Sequence, residues 1–277
     1  MVTVVNLVNV IVTPVFDAIC WPFRGLAPMW ALAAISFASG VLLVWLFGKT
    51  SDQARIRTVR DHIRGNLIGV RLFQHDIRVV LRLQRRIFGD TFRFMRLALL
   101  PMLVMLVPVL LIMTQLNLRF AARPLQAGEP VVIKALVRDP AALDRPIALD
   151  VPEGVVVETP PVKIAATREV AWRLRVDRPG SHMVVVRVGD ASLEKRLVAG
   201  AAWGTVPQRR TGMGMLDTLL YPGEPPIPAG HVIEAIEVGY PPLGLTVLGF
   251  DVDWLIGFLL LSMAFGFACK GALGVEV

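Results

Sequence analysis

The chain has 277 residues, 55% of them hydrophobic, and a mean hydropathy of +0.60, too apolar for a water-soluble globule of this length. A net charge of +7 would suit a nucleic-acid binder, but residues 48–97 hold 12 Lys/Arg against 4 Asp/Glu, a net of +8, while residues 117–253 hold 15 against 16, a net of −1. Charge confined to one short segment between apolar runs argues against specific nucleic-acid recognition and for a multi-pass membrane protein with a basic cytoplasmic loop.

Residues 1–24 are apolar but have neither the basic start nor the small-residue cleavage site of a signal peptide. Asn6, Asn9, Thr13 and Asp17 follow at helical spacing and form one polar stripe. Such a helix is expected to lie in the membrane interface, with Trp21, Phe23 and Arg24 at headgroup level. A span in its own right is the alternative, against which Asp17 and the two asparagines count. Pro22, Gly25 and Pro28 then turn the chain.

Residues 29–47 are uncharged and form the first expected transmembrane helix, on which Ser36, Ser39 and Gly40 make a small-residue patch suited to close helix contact or to mild polarity. Residues 51–96 follow as a basic helical segment. Ile56, Ile63, Val70 and Ile77 make one apolar row; Val59, Phe73, Val80 and Ile87 make another. Arg57, Arg64, Arg71, Arg78 and Arg85 recur seven apart beside them. A seven-residue repeat keeps one face aligned with a partner helix. Gly65, Asn66 and Gly69, then Gln74, His75 and Asp76, interrupt it, which predicts a hairpin with coiled-coil character and arms near 52–72 and 75–96. An ordinary solvated amphipathic helix is the plainer alternative.

Residues 97–116 are again uncharged, long enough to cross about 30 Å of hydrocarbon. Pro101 and Pro108 inside this second span predict a kink. From 120 to 200 the period becomes two. Val131, Ile133, Ala135 and Val137, then Val170, Trp172, Leu174 and Val176, then Val184, Val186 and Val188 alternate with other residues, and Pro/Gly turns separate the runs. Six or seven short strands predict an all-β, immunoglobulin-like sandwich without a disulfide, Trp172 being its core aromatic. Residues 201–252 read as a mixed connector, with a short helix over 215–221 and a possible pairing of 232–240 with 245–252. Residues 254–270 give a short third transmembrane helix, which would thin the bilayer locally; Asp251 and Asp253 are placed to cap it.

The positive residues flanking the spans put the hairpin and the C-terminus in the cytoplasm and the N-terminus and sandwich outside. Arg24, Arg119 and Arg123 count against this orientation but are outnumbered. Cys20 and Cys269 fall at different expected depths, so no disulfide is predicted. No catalytic constellation emerges. His62, His75, His182 and His231 lack metal-ligand spacing, and no phosphate loop or nucleophile elbow is present. The sequence predicts a protein that is not an enzyme, with no cofactor and no metal.

The order of span, basic hairpin, proline-containing span, external segment and last span resembles the three-span core of the YidC/Oxa/Get/EMC membrane insertase superfamily. The residues carrying the resemblance are Ser51-Asp52-Gln53, the hairpin Ala54–Arg96, and Leu100-Pro101-Met102-Leu103; it covers about 29–117 and 254–270. It implies a groove open to the cytoplasm and to lipid, with polarity from Ser36, Ser39, Thr114, Gln115 and Ser262, and a basic row Arg57, Arg64, Arg71, Arg78 and Arg85 facing client, ribosome or lipid. Bacterial YidC-type members carry an arginine within the groove, whereas the expected spans here hold none. The β-sandwich is an addition to the minimal core. Two functions follow as expectations: an insertase or chaperone for membrane-protein clients in the bacterial cytoplasmic membrane, or a non-catalytic structural or assembly subunit bound to partner membrane subunits.

Overall fold

The computed structural model describes residues 2–212, 214–247, 250–271 and 274, with backbone only at 2–8, 53, 215 and 247. The chain divides into two compact units, Met1–Ala31 with Leu111–Trp254, and Leu32–Leu110 with Leu255–Val277.

Four helices fill the first 120 residues: α1 (Val2–Cys20), α2 (Pro28–Thr50), α3 (Gln53–Leu72) and α4 (Ile77–Phe120). α2 and α4 are long and apolar enough to cross a membrane; α6 (Trp254–Cys269), with 16 residues, is a shorter apolar helix. Asp52 starts α3 by accepting from Arg55 N at 3.1 Å. Asp76 starts α4 by accepting from Arg78 N at 3.0 Å and Val79 N at 3.2 Å. Each carboxylate satisfies an amide that has no partner within its helix. The predicted hairpin is present, but its second arm and the second expected span are one helix of 44 residues, about 66 Å long at 1.5 Å per residue. Pro101 and Pro108 are accommodated inside it. It also continues beyond residue 116 and so takes in Arg119.

The hairpin seam is built from Ile56 and Val59, both buried, with Ile63 and Val70 on α3 and Val80, Leu83 and Ile87 on α4 half-buried. Gly69 permits the close approach: a Cβ there would lie 3.0 Å from Leu83 Cδ1. The predicted rows break at the turn, where Phe73 and Ile77 are exposed. α2 and α6 cross through Gly40, whose absent Cβ would fall 2.5 Å from the Ser262 carbonyl oxygen. That is backbone against backbone, a contact only glycine allows.

Two of the three sheets among the described residues share one core. One has the order β3-β5-β1-β9-β8 with β4 also on β5; the other has the order β2-β6-β7. The strands are β1 (Glu129–Val137), β2 (Ile147–Asp150), β3 (Val155–Val157), β4 (Val162–Ile164), β5 (Glu169–Val176), β6 (Gly180–Val188), β7 (Ala191–Ala199), β8 (Arg209–Thr211) and β9 (Ile233–Val238). Val131, Ile133, Ala135 and Val137 on β1, Trp172 and Leu174 on β5, and Val184 and Val186 on β6 share a single core. The alternation read from sequence therefore marks the buried faces correctly. The extent differs. The sheets continue past residue 200, because β9 pairs with β1 in the middle of the larger sheet. The expected pairing of 232–240 with 245–252 does not form: β10 (Leu245–Val247) and β11 (Phe250–Val252) pair with each other instead. A run of alternating apolar residues does not state its partner, and β9 finds a longer one in β1. Asp251 accepts from Thr246 Oγ1 at 3.2 Å across that small hairpin. Helix α5 (Met215–Leu220) occupies the expected connector position. Cys20 and Cys269 are both free thiols.

Candidate functional site

The outward face of the first half of α4 mixes basic and large apolar side chains. Arg78, Leu81, Arg85, Phe88, Phe92 and Met95 follow at spacings of three and four, which places them on one helical face. All six are exposed, with Phe88 at 76% and Phe92 at 72%. A solvated helix face carries polar and charged side chains; this one interleaves guanidinium groups with large apolar side chains. On α3, Ile68 and Leu72 are exposed as well. The combination suits a ligand that is apolar and carries, or lies beside, negative charge.

Each arginine of the predicted basic row, Arg57, Arg64, Arg71, Arg78 and Arg85, is exposed. Three lie on α3 and two on α4, so the row crosses the turn and is not one stripe. Its heptad spacing drew attention to the charges. The apolar partners at 81, 88, 92 and 95 were missed because they share the arginines' face, where an amphipathic reading expects none.

The predicted groove residues divide between the two units, Ser36, Ser39 and Ser262 in one and Thr114 and Gln115 in the other. Ser36 and Ser39 are buried on α2, and Ser36 Oγ donates to the Leu32 carbonyl at 2.7 Å. Ser262 is half-buried on α6 and donates to the Leu259 carbonyl at 3.2 Å. Thr114 and Gln115 are buried near the end of α4, in the other unit. Thr114 turns back onto the Leu111 carbonyl at 3.0 Å. Gln115 is consumed by a cluster with α1, donating to Thr13 Oγ1 at 3.0 Å and accepting from Arg119 Nη1 at 2.6 Å.

That cluster gives α1 an inverted amphipathicity. Arg119, 1% exposed, donates to Asp17 Oδ1 at 2.6 Å and to the Thr13 carbonyl at 3.0 Å. Asn9 donates from Nδ2 to the Thr218 carbonyl of α5 at 2.7 Å. The polar stripe therefore faces protein, while Val10, Ile11 and Val15 are exposed. The side chain of Asn6, the fourth member of the stripe, lies outside the described residues. Arg119, which counts against the predicted orientation as an outside charge, is itself buried and neutralised by half-exposed Asp17. Arg123 is likewise held bidentately by Glu129, both contacts at 2.8 Å, and this hydrogen bonding keeps the Glu129 carboxyl below its usual range.

In the β region the chain buries a lysine. Lys195 occupies an inward position of β7 between Leu193 and Leu197 and has no exposed surface. Its Nζ donates to the Pro207 carbonyl at 2.7 Å and contacts the Glu224 carboxylate. Glu224 also accepts from Arg196 N at 2.8 Å, which ties the proline-rich stretch 222–228 to the sheet edge. Burial pushes the Lys195 amine down to about 8, while Glu224 pulls it back up. Tyr240 accepts from Val198 N at 3.0 Å, and burial raises its phenol. Among the described residues no group of three or more His, Cys, Asp or Glu is arranged to hold a metal.

Set beside family models, curated proteins and solved structures, the chain matches none.

Proposed function

We propose that this chain is a non-enzymatic insertion factor for membrane proteins, a divergent relative of the YidC/Oxa/Get/EMC insertases. Its α2, α4 and α6 would span the bacterial cytoplasmic membrane. The hairpin would project into the cytoplasm, and the β region would sit outside as an immunoglobulin-like sandwich. One observation carries the reading: α4 bears the mixed basic and apolar face on its first half and continues without a break into residues 97–118, which carry no charge. An apolar client segment bound beside the arginines covers Leu81, Phe88 and Phe92, and the same helix leads it toward hydrocarbon. Covering such side chains is favourable by roughly 25 cal/mol per Å² of apolar surface. The arginines add attraction for acidic client flanks, a ribosome or anionic headgroups.

A second reading has its own support. Thr114 and Gln115 are committed to internal bonds, and the buried arginine of α4 is committed to Asp17, so none of the three is free to line an open polar groove. An assembly or structural subunit that uses the hairpin face to hold a permanent membrane partner fits that observation.

A photocrosslinker at Phe88 or Phe92, and at Gln115 as a comparison, separates the two. The insertion reading expects a nascent single-span client to be captured at 88 and 92, transiently, during its synthesis. Capture of a fixed membrane partner with no client defeats that reading in favour of the second. Absence of any adduct at 88 and 92 defeats both.

A further inference from the structure

We propose that a cleft beside the junction of the hairpin with the uncharged stretch of α4 holds one anionic phospholipid. The cleft has a volume of about 770 Å³ and is lined by Arg55, Arg93, Arg96 and Asp52 as well as by Val59, Leu97, Leu100 and Pro101. The three guanidinium groups face one carboxylate, and that carboxylate is already engaged: Asp52 contacts Arg55 Nε at 3.0 Å and accepts from Arg55 N. Arg93 and Arg96 make no ion pair or hydrogen bond among the described residues. They sit three apart on one helix, a spacing at which like charges repel. Two converging, uncompensated cations on a concave wall call for an anion.

The rest of the wall selects which anion. Val59, Leu97, Leu100 and Pro101 would gain nothing from a free phosphate ion, and Leu99, Leu100, Met102 and Leu103 just beyond are exposed apolar surface. A phosphodiester on Arg93 and Arg96 with acyl chains along Leu97 and Leu100 satisfies both halves of the cleft. The change from charged to apolar along α4, at residues 96–97, matches the change along a phospholipid from headgroup to chain. Basic pockets beside membrane helices on the cytoplasmic side bind anionic headgroups on the same terms. The assignment rests on the membrane reading of α2 and α4 but not on what the hairpin face receives.

Native mass spectrometry of the full chain from mild detergent, given equal phosphatidylglycerol and phosphatidylcholine, tests it. Wild type is expected to retain one phosphatidylglycerol in preference to phosphatidylcholine, and inorganic phosphate at equal concentration is expected not to displace it. Arg93→Gln with Arg96→Gln should weaken retention roughly tenfold or more. Arg93→Lys with Arg96→Lys should keep most of it, which shows that the site still folds. Arg82→Gln with Arg86→Gln removes equal charge elsewhere on the hairpin and should leave retention near wild type. Equal retention of the two lipids, displacement by phosphate, or equal loss in both glutamine pairs overturns the proposal, the last by reducing the effect to a diffuse field. A chain that stays soluble without detergent overturns the membrane reading itself; one that needs detergent yet shows no lipid preference overturns the lipid site alone.

Discussion

The β region and the hairpin use charge in opposite ways. In the β region arginines and carboxylates find each other: Arg173 and Arg175 share Glu158, Arg175 also takes Asp177, Arg187 takes Asp150, and buried Lys195 takes Glu224. Its core gathers Val131, Ile133, Trp172, Leu174, Val184 and Val186. In the hairpin, Arg78, Arg85, Arg93 and Arg96 have no carboxylate partner among the described residues, and Phe88 and Phe92 stand in the open. Exposed ion pairs contribute little to stability, so the surface pairs matter less for their energy than for the charge they compensate. The two regions thus differ in how far these charges are compensated within the chain.

The comparison breaks most readily at Lys195. Lys195→Met leaves the Glu224 carboxylate buried without its cation and is expected to cost about 3–5 kcal/mol, whereas Lys195→Met with Glu224→Met should recover most of that loss. Denaturant unfolding of the full chain followed by Trp172 and Trp203 fluorescence checks both. If the single and double variants were equally unstable, the pair would not be the source. Within the helical unit, Gly40→Leu forces a side chain into the Ser262 carbonyl and should cost about 1–3 kcal/mol in detergent thermal unfolding.

pH sharpens the same contrast. The Lys195 amine titrates near 8 in the fold and near 10.4 when unfolded. Below pH 8 both states are protonated and the burial penalty is fully felt. Between the two values the unfolded chain holds the proton and the folded chain has released it. Stability therefore rises with pH across that window, by up to about 1.4 kcal/mol per unit relative to Lys195→Met. A flat difference between the two proteins from pH 7 to 10 would contradict this. The smallest effect on stability belongs to the hairpin. Phe88→Ser with Phe92→Ser should change unfolding by no more than about 0.5 kcal/mol and yet abolish capture at neighbouring hairpin positions. A large loss of stability would mean that these rings pack internally.

Much of the architecture could be read from residue spacing. Heptads and the break before Asp76 located the hairpin, and period-two runs located the faces of β1, β5 and β6. What escaped was partnership at long range. The alternation over 233–238 looks the same whether the strand pairs with its neighbour or with β1, a hundred residues earlier. The stripe Asn9, Thr13, Asp17 looks the same facing water or facing Gln115 and Arg119. The candidate face is legible in its charges and illegible in its apolar members, because sequence patterning assigns exposed Phe and Leu to a core by default. Lys195 showed the converse, a charged residue in an inward register that only the fold reveals as buried.

The bonds of α1 impose an order on how the chain matures. Thr13 and Asp17 meet partners 102 residues further on, and Asn9 meets one 209 residues further on. At about 5–20 residues per second of synthesis, the first partners emerge roughly 5–20 s after α1, and the last roughly 10–40 s after it. Until then α1 keeps its amide and carboxylate groups without their final partners. Its docking therefore comes after synthesis of those partners, so damage in the middle of the chain would show itself far away, as protease sensitivity within α1.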